Sequence, residues 1–382
     1  MQNHHRGSVQ IRQVNGGSDL REFIRLPYRL YRNDPAWVPP LLLEQRQRLT
    51  KHNPYFEHAR WSAWLAIRDK TVVGRISAQI DELFLERHDP HTGFFGMLEA
   101  TEDTEVFSAL FEVAEDWLRK QGIHRVRGPF NLSINEECGL LVEGLDTPPF
   151  IMMGHALPYY PGCIQANGYR PVQTLLAYYI RPDFQAPDIM SRLSKKAAQN
   201  VKLRPLNRSR IREDLGILRD IFNDAWVDNW GFVPFTEAEF REVGKNLAML
   251  IDDDFVQIAE LDGEPVAMVV ALPNVNDAIR DLNGRLLPFG WLKLLWRLKV
   301  RYPKTARVPL MGVRKKYQHS RLGPALAFLV MEEVRQSMRR KGIESGEMSW
   351  ILEGNSGMRN IIETIGGEPY KRYRIFEKEL DA

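Results

Sequence analysis

Residues 308–334, VPLMGVRKKYQHSRLGPALAFLVMEEV, read as a strand, a basic turn and a helix in immediate succession. The first six are apolar and include Gly312, as a short buried strand requires, and from Leu326 onward apolar side chains recur at helical spacing. Arg314, Lys315, Lys316, Gln318, His319, Ser320 and Arg321 fill the turn between them. Gly323 permits close approach of a backbone, and Pro324 suits the first turn of a helix, where its missing N–H removes nothing useful. Unpaired amides and a positive dipole end at such a helix start make the turn a candidate pyrophosphate seat. A solvated basic turn before an ordinary helix fits the same residues.

Outward from this stretch the chain repeats an order of elements. WLAIRDKTVVGRISAQID from Trp64 and VQIAELDGEPVAMVVALPN from Val256 each read as a hairpin, turning at Asp69-Lys70 and Asp262-Gly263. Each is followed by an amphipathic helix ending in glycine, at Gly122 and Gly342, and then by another strand. The segments IQANGYRPV and IIETIGGEPY lead into aromatic-rich final strands. Pro182 and Pro187 interrupt the pattern between the copies. The division expected is residues 1–183, a linking helix over 184–200, and residues 201–382.

With 382 residues, 44% hydrophobic and 26% charged, the chain has the composition of a soluble globular protein long enough for two domains. A net charge of +3 argues against nucleic acid as the main partner. Cys138 and Cys163 have no metal-ligand spacing and no second pair, so neither a zinc site nor a disulfide framework is expected, and a reducing cytoplasm fits. The first residues, MQNHHRGSVQIRQV, lack the apolar core of a signal peptide, and no run of about 20 apolar residues is present to span a bilayer.

The turn QHSRLGPA resembles the phosphate loop of the GNAT superfamily of acyl-CoA-dependent N-acyltransferases, Q/R-x-x-G-x-G/A. Gln318, Gly323, Pro324 and Ala325 match, and Arg321 stands at the loop's first glycine. NSGMRNIIETIGG is similar to a later motif of that superfamily, with Asn355, Ile361, Glu363 and Gly366 in register and Ile362 where a tyrosine acid often stands. GPFNLSINEECGLLVEG, PPFIMMGH and LPYYPG resemble the first half of a bacterial branch with two GNAT-like halves, near bacterial ceramide synthases of the GNAT type. The resemblance covers nearly the whole chain. It implies two tandem GNAT-like domains, each a mixed, mostly antiparallel sheet flanked by helices. It also implies acetyl-CoA or a longer acyl-CoA as donor and no metal. The strands at 308–313 and 347–352 should part to admit the pantetheine arm, with the amides of Gly312 and Val313 polarising the thioester carbonyl.

The turn before the first-half helix, EATEDTE, is acidic, so that half is expected to supply the acceptor side rather than bind CoA. In NLSINEECGLL, five polar residues (Asn131, Ser133, Asn135, Glu136 and Glu137) precede an apolar run. A carboxylate near a core is either satisfied or perturbed, so Glu136 or Glu137 is a candidate general base for an ammonium, and a satisfied loop is the competing reading. His155, Tyr159 and Tyr160 are candidates to line an acceptor pocket in the cleft between the halves, or simply to pack. In the second half Glu347, Ser349, Ile351 and Glu353 alternate onto one strand face, making Glu347 or Glu353 a second candidate base, with Tyr373 as replacement acid.

LLPFGWLKLLWRLKVRYPKTARV places Phe289, Trp291, Leu292, Leu294, Leu295, Trp296 and Leu298 among Lys293, Arg297, Lys299 and Arg301. This predicts an amphipathic basic helix able to lie in a membrane interface, at the inner face of the cell membrane, or to pack on its own domain. The reading is acyl transfer from acyl-CoA to a primary amine, small or lipid-like. A non-catalytic acyl-CoA or lipid sensor and a tRNA-dependent aminoacyltransferase are the alternatives.

Overall fold

A computed structural model describes residues 7–184, 188–248 and 251–381. The chain divides into two compact units, Met1–Thr174 with Ile279–Leu286 and Lys371–Ala382, and Leu175–Ala278 with Leu287–Tyr370. This division differs from the one drawn on the sequence at the C-terminal strand Glu368–Glu379, which crosses from the second unit into the first. The cause is pairing: residues 376–379 lie antiparallel to Arg125–Gly128, and residues 372–374 to Leu140–Glu143. The linking helix forms over Asp188–Ala197, and residues 185–187 lie outside the described residues.

The sheet of the first unit runs through Gln10–Gln13, Ala59–Arg68, Thr71–Asp81, Thr92–Ala100 and Arg125–Gly128, antiparallel except for the last pair. Helix Thr104–Arg119 covers one face with Val106, Phe107, Leu110, Phe111, Ala114 and Leu118 buried. Each large apolar side chain so buried contributes roughly 1.5–3 kcal/mol.

The second unit repeats the plan. Val201–Pro205, Val256–Leu261, Glu264–Pro273 and Thr305–Val313 are antiparallel neighbours, and Thr305–Val313 runs parallel to Ser345–Leu352. Residues 175–180 of the strand Arg170–Ile180 close that side. Helix Leu322–Arg340 buries Leu326, Val330, Val334 and Met338.

The local signals of the repeat hold at atomic level. Asp69 and Lys70 in one hairpin, and Asp262 and Gly263 in the other, all have positive φ, as a two-residue turn matched to strand twist needs. Gly122 and Gly342 take φ of 79° and 73° just past their helices, where a side chain would be strained.

Candidate functional site

In the second unit the parallel ladder pairs Thr305 with Ser345, Arg307 with Glu347 and Val308 with Met348, and its recorded register ends there. The next residue, Pro309, has no N–H to continue it. On the other side of the same strand Val308 and Pro309 together oppose Ala271 alone, a bulge that bends the strand where the parallel pairing stops. The two strands therefore part beyond Val308 and Met348.

Which amides the parting exposes follows from the ladder. The Arg314 N–H donates to the Val266 carbonyl at 2.8 Å, which by alternation turns Gly312 onto the same neighbour and turns Met311 and Val313 away from it. The carbonyls of Met311 and Val313 confirm this sense, accepting from Trp226 Nε1 at 3.0 Å and Gln318 Nε2 at 2.9 Å. Gly312 is thus corrected as an oxyanion donor: its amide belongs to the sheet, and a Cβ there would meet Ala225 at 3.2 Å and Ile221 at 3.3 Å. The Val313 and Met311 amides face the side of the strand on which the parallel pairing has stopped.

The basic turn folds as a short helix, Lys315–Gln318, before helix Leu322–Arg340. Gln318 is a staple, donating to both Ala225 and Val313 carbonyls at 2.9 Å. Arg314 donates to the Pro265 carbonyl, the Lys315 ammonium sits 2.6 Å from Asp228, and Lys316 pairs with Glu264. Ser320 Oγ accepts from the Leu322 amide, and the Gly323 amide donates to the Ser320 carbonyl. Gly323 is required by this fold-back, since a Cβ would lie 2.5 Å from the Tyr317 carbonyl oxygen. Pro324 is exposed and Ala325 buried in the first helical turn.

His319 and Arg321 are exposed, with no side-chain hydrogen bond or ion pair recorded among the described residues, and the helix has no acid in its first turn. An acyl-CoA pyrophosphate fits such a place. The exposed lysine pairs are screened by solvent and can be exchanged for phosphate contacts. Asn355 caps the following helix, its side-chain oxygen accepting from the Met358 amide at 3.0 Å.

Beside the parting lies a buried polar cluster. Glu347 is 0% and Arg307 1% exposed, 3.8 Å apart. Ser349 bridges them, accepting from Arg307 Nε at 2.9 Å and donating to Glu347 Oε1 at 2.6 Å. Arg307 also lies over the Trp350 ring at 5.0 Å. The half-buried Tyr370 hydroxyl donates to the other Glu347 oxygen. Glu347 and Ser349 do share a strand face, as their alternation predicts. A wholly buried ion pair is a poor source of stability, so its place at the strand parting favours a chemical role. Tyr370 escaped the sequence reading. Tyr373, chosen there as acid, belongs to the first unit, wholly buried and in register with Leu141.

In the first unit the polar residues of the NLSINEE loop close on one another. Arg48, at the end of helix Leu42–Arg48, donates to Glu136 at 2.6 Å, Glu137 at 3.3 Å and the Asn131 carbonyl. Burial works against the Arg48 cation, but Glu136 and Glu137 outweigh it and raise its pKa. Asn131 donates to Glu137 at 3.0 Å, and its oxygen accepts the Met97 amide at 2.7 Å. Ser133 is buried and accepts from the Asn135 amide. The parallel pairing of Thr92–Ala100 with Arg125–Gly128 also stops early, after Phe94, but here the chain fills the place. A Cβ on Gly96 would lie 1.8 Å from the Phe130 carbonyl oxygen. Arg48 went unseen because its partners lie 88 residues away.

The other residues chosen in this half are also internally engaged. His155 Nε2 lies 2.8 Å from Asp34, and burial pulls its pKa below the usual range against the pull of Asp34. Tyr159 donates to the Ala100 carbonyl and Tyr160 to Glu99, which burial raises despite Arg75. The start of helix Thr104–Arg119 is capped by Asp103, which accepts from the Glu105 amide, and Arg68 pairs with both acids.

No family model matches the chain. Two relatives match over nearly the whole chain. Bacterial ceramide synthase of Caulobacter vibrioides is 49% identical over 375 residues, 97% of this chain and 98% of that protein. Protein YghO of Escherichia coli is 50% identical over 371 residues, 97% and 95% of the two chains. This chain belongs to their family.

Solved structures agree on the fold. A tandem GNAT protein from the clavulanic acid biosynthesis pathway matches with a TM-score of 0.58 at 12% identity, covering 98% of this chain and 99% of that one. A GCN5-related N-acetyltransferase from Sphaerobacter thermophilus matches with a TM-score of 0.51 at 12% identity, covering 98% and 96%. Within this family member the two departures from the superfamily pattern have physical settings. Arg321 brings an exposed cation where a glycine would bring backbone, and Ile362 is 0% exposed in a cluster with Leu176, Tyr178 and Met348. No groups of His, Cys, Asp and Glu suited to a metal occur among the described residues.

Proposed function

We propose that the protein is an N-acyltransferase that moves an acyl group from acyl-CoA to the primary amine of a lipid-like acceptor. The observation that carries this is the parted strand pair beyond Val308 and Met348, with the Val313 amide turned off the ladder and the Arg307–Ser349–Glu347–Tyr370 cluster beside it. The donor supplies an activated thioester. Arg321 and His319, with the start of helix Leu322–Arg340, hold its pyrophosphate, and the Val313 and Met311 amides stabilise charge on the carbonyl oxygen.

The amine nitrogen forms a bond to the acyl carbon while the carbon–sulfur bond breaks. One proton leaves the incoming ammonium for solvent, and a second passes from the nitrogen to the Tyr370 oxygen as the Tyr370 hydroxyl gives its own proton to the departing thiolate. The Tyr370 hydroxyl is the group at hand for these transfers. Reference pKa values of about 10 for tyrosine, 10.4 for an alkyl ammonium and 8.5 for a thiol are close enough for it to serve both partners. Glu347 positions Tyr370 and accepts its hydrogen bond, fixed in turn by Ser349 and Arg307. Glu136 and Glu137 are engaged by Arg48, which supports placing proton transfer in the second unit.

A lipid-like acceptor is supported by the family member named for ceramide synthesis, ceramide being an amide of a long-chain amine. Thiol release from acyl-CoAs of increasing length, over amines from short polyamines to long-chain amino alcohols, tests the proposal. Release should occur with a long-chain amine. Acyl-CoA binding without release on any amine would support the sensor instead.

A further inference from the structure

Nine large apolar side chains are exposed among the described residues, and seven of them fall within residues 287–300. Leu287 and Phe289 are 78% and 72% exposed, and Trp291 and Trp296 are 47% and 52% exposed. The segment is tied to its unit through a buried side chain and a backbone contact. Leu298 is buried, and the Arg297 guanidinium donates to the Ala278 carbonyl at 2.7 Å. Leu292, Leu295 and Trp296 are exposed along helix Gly290–Trp296, at helical spacing with the exposed Lys299 of its continuation Arg297–Arg301.

The charge around this face has one sign. Between Asp281 and Glu332 the sequence contains eleven lysines and arginines and no acidic residue. Exposed Lys293, Lys299 and Arg301 stand beside the apolar side chains. A second copy of the chain is a poor occupant, because facing copies would bring like charges together. Indole rings at an apolar–polar boundary, rimmed by cations, match the depth profile of an anionic bilayer surface, where tryptophan settles at headgroup level and cations meet phosphate.

We infer that residues 287–301 dock the protein peripherally on anionic lipid bilayers. No helix of the described residues is long and apolar enough to cross a membrane, so the contact is interfacial. Docking is independent of acyl transfer and is measured without turnover.

Flotation of the full-length protein with vesicles of equal parts phosphatidylglycerol and phosphatidylcholine, against phosphatidylcholine alone, tests it. The protein should float with the anionic vesicles and be released by high salt. Trp291→Ser with Trp296→Ser should abolish flotation while leaving thermal unfolding unchanged, both rings being half exposed. Lys293→Gln with Arg301→Gln should weaken binding about thirty-fold, two cations at about 1 kcal/mol each. Failure to float with anionic vesicles, or equal binding to zwitterionic ones, overturns the inference. So does a wild-type dimer that the tryptophan substitutions dissolve.

Discussion

Replacing Tyr370 by phenylalanine separates a chemical role from a structural one. The substitution removes one hydroxyl from a carboxylate that keeps Ser349 at 2.6 Å and Arg307 at 3.8 Å. A hydrogen bond to a charged group is worth about 1.5–3 kcal/mol, and the half-buried position of Tyr370 places the loss at the low end, about 1.5 kcal/mol. For a unit of this size that lowers Tm by roughly 3–6 °C. Loss of a positioned acid–base group costs about 10²–10⁴ in rate, so kcat for thiol release should fall at least about a hundred-fold. KM for acyl-CoA should be unchanged, because the proposed pyrophosphate contacts are His319 and Arg321. Steady-state kinetics on Tyr370→Phe, with calorimetry on the same preparation, gives both quantities. A kcat within about three-fold of the parent, with Tm lowered as computed, would refute the proton-transfer role and leave Tyr370 a structural partner of Glu347.

Arg321→Ala should raise KM for acyl-CoA about three- to ten-fold with kcat unchanged, the worth of one charge-assisted contact, and the difference should shrink at high salt. Arg48→Met leaves Glu136 and Glu137 half-buried without their cation and should cost about 2–4 kcal/mol, read as a fall in Tm of roughly 4–16 °C. His155 has a pKa lowered by burial, so the folded state resists protonation. Its stabilising contribution is present above the unfolded value of about 6.5 and is lost as pH falls from there toward the lower folded value. Stability measured by denaturant titration should decline over that window, and His155→Gln should flatten the decline.

The elements most legible in the sequence are those set by neighbouring residues. The turns at Asp69-Lys70 and Asp262-Gly263 announce their hairpins because few residues tolerate positive φ, and Gly122 and Gly342 announce helix ends for the same reason. Pairing across long separations is harder to read. Nothing near Arg48 points to an acidic loop 88 residues away, and nothing near Lys371 says that the last strand will cross units. Motif matching also leaves unseen the internal hydrogen bonds of residues whose type serves two ends. Asn355 caps a helix, and Gln318 ties a turn to carbonyls, using the same amide chemistry that would contact a ligand. Pro309 was the overlooked local signal, since a proline in a paired strand marks the place where pairing must stop.

The central claim is acyl transfer at the parted strands of the second unit. The most direct measurement is mass analysis of products after incubating the protein with a long-chain acyl-CoA and a long-chain amino alcohol, alongside Glu347→Gln and Tyr370→Phe. The account predicts one N-acyl amide formed per free CoA thiol released, with both variants slowed about a hundred-fold or more. Amide formation undiminished in both variants would contradict it.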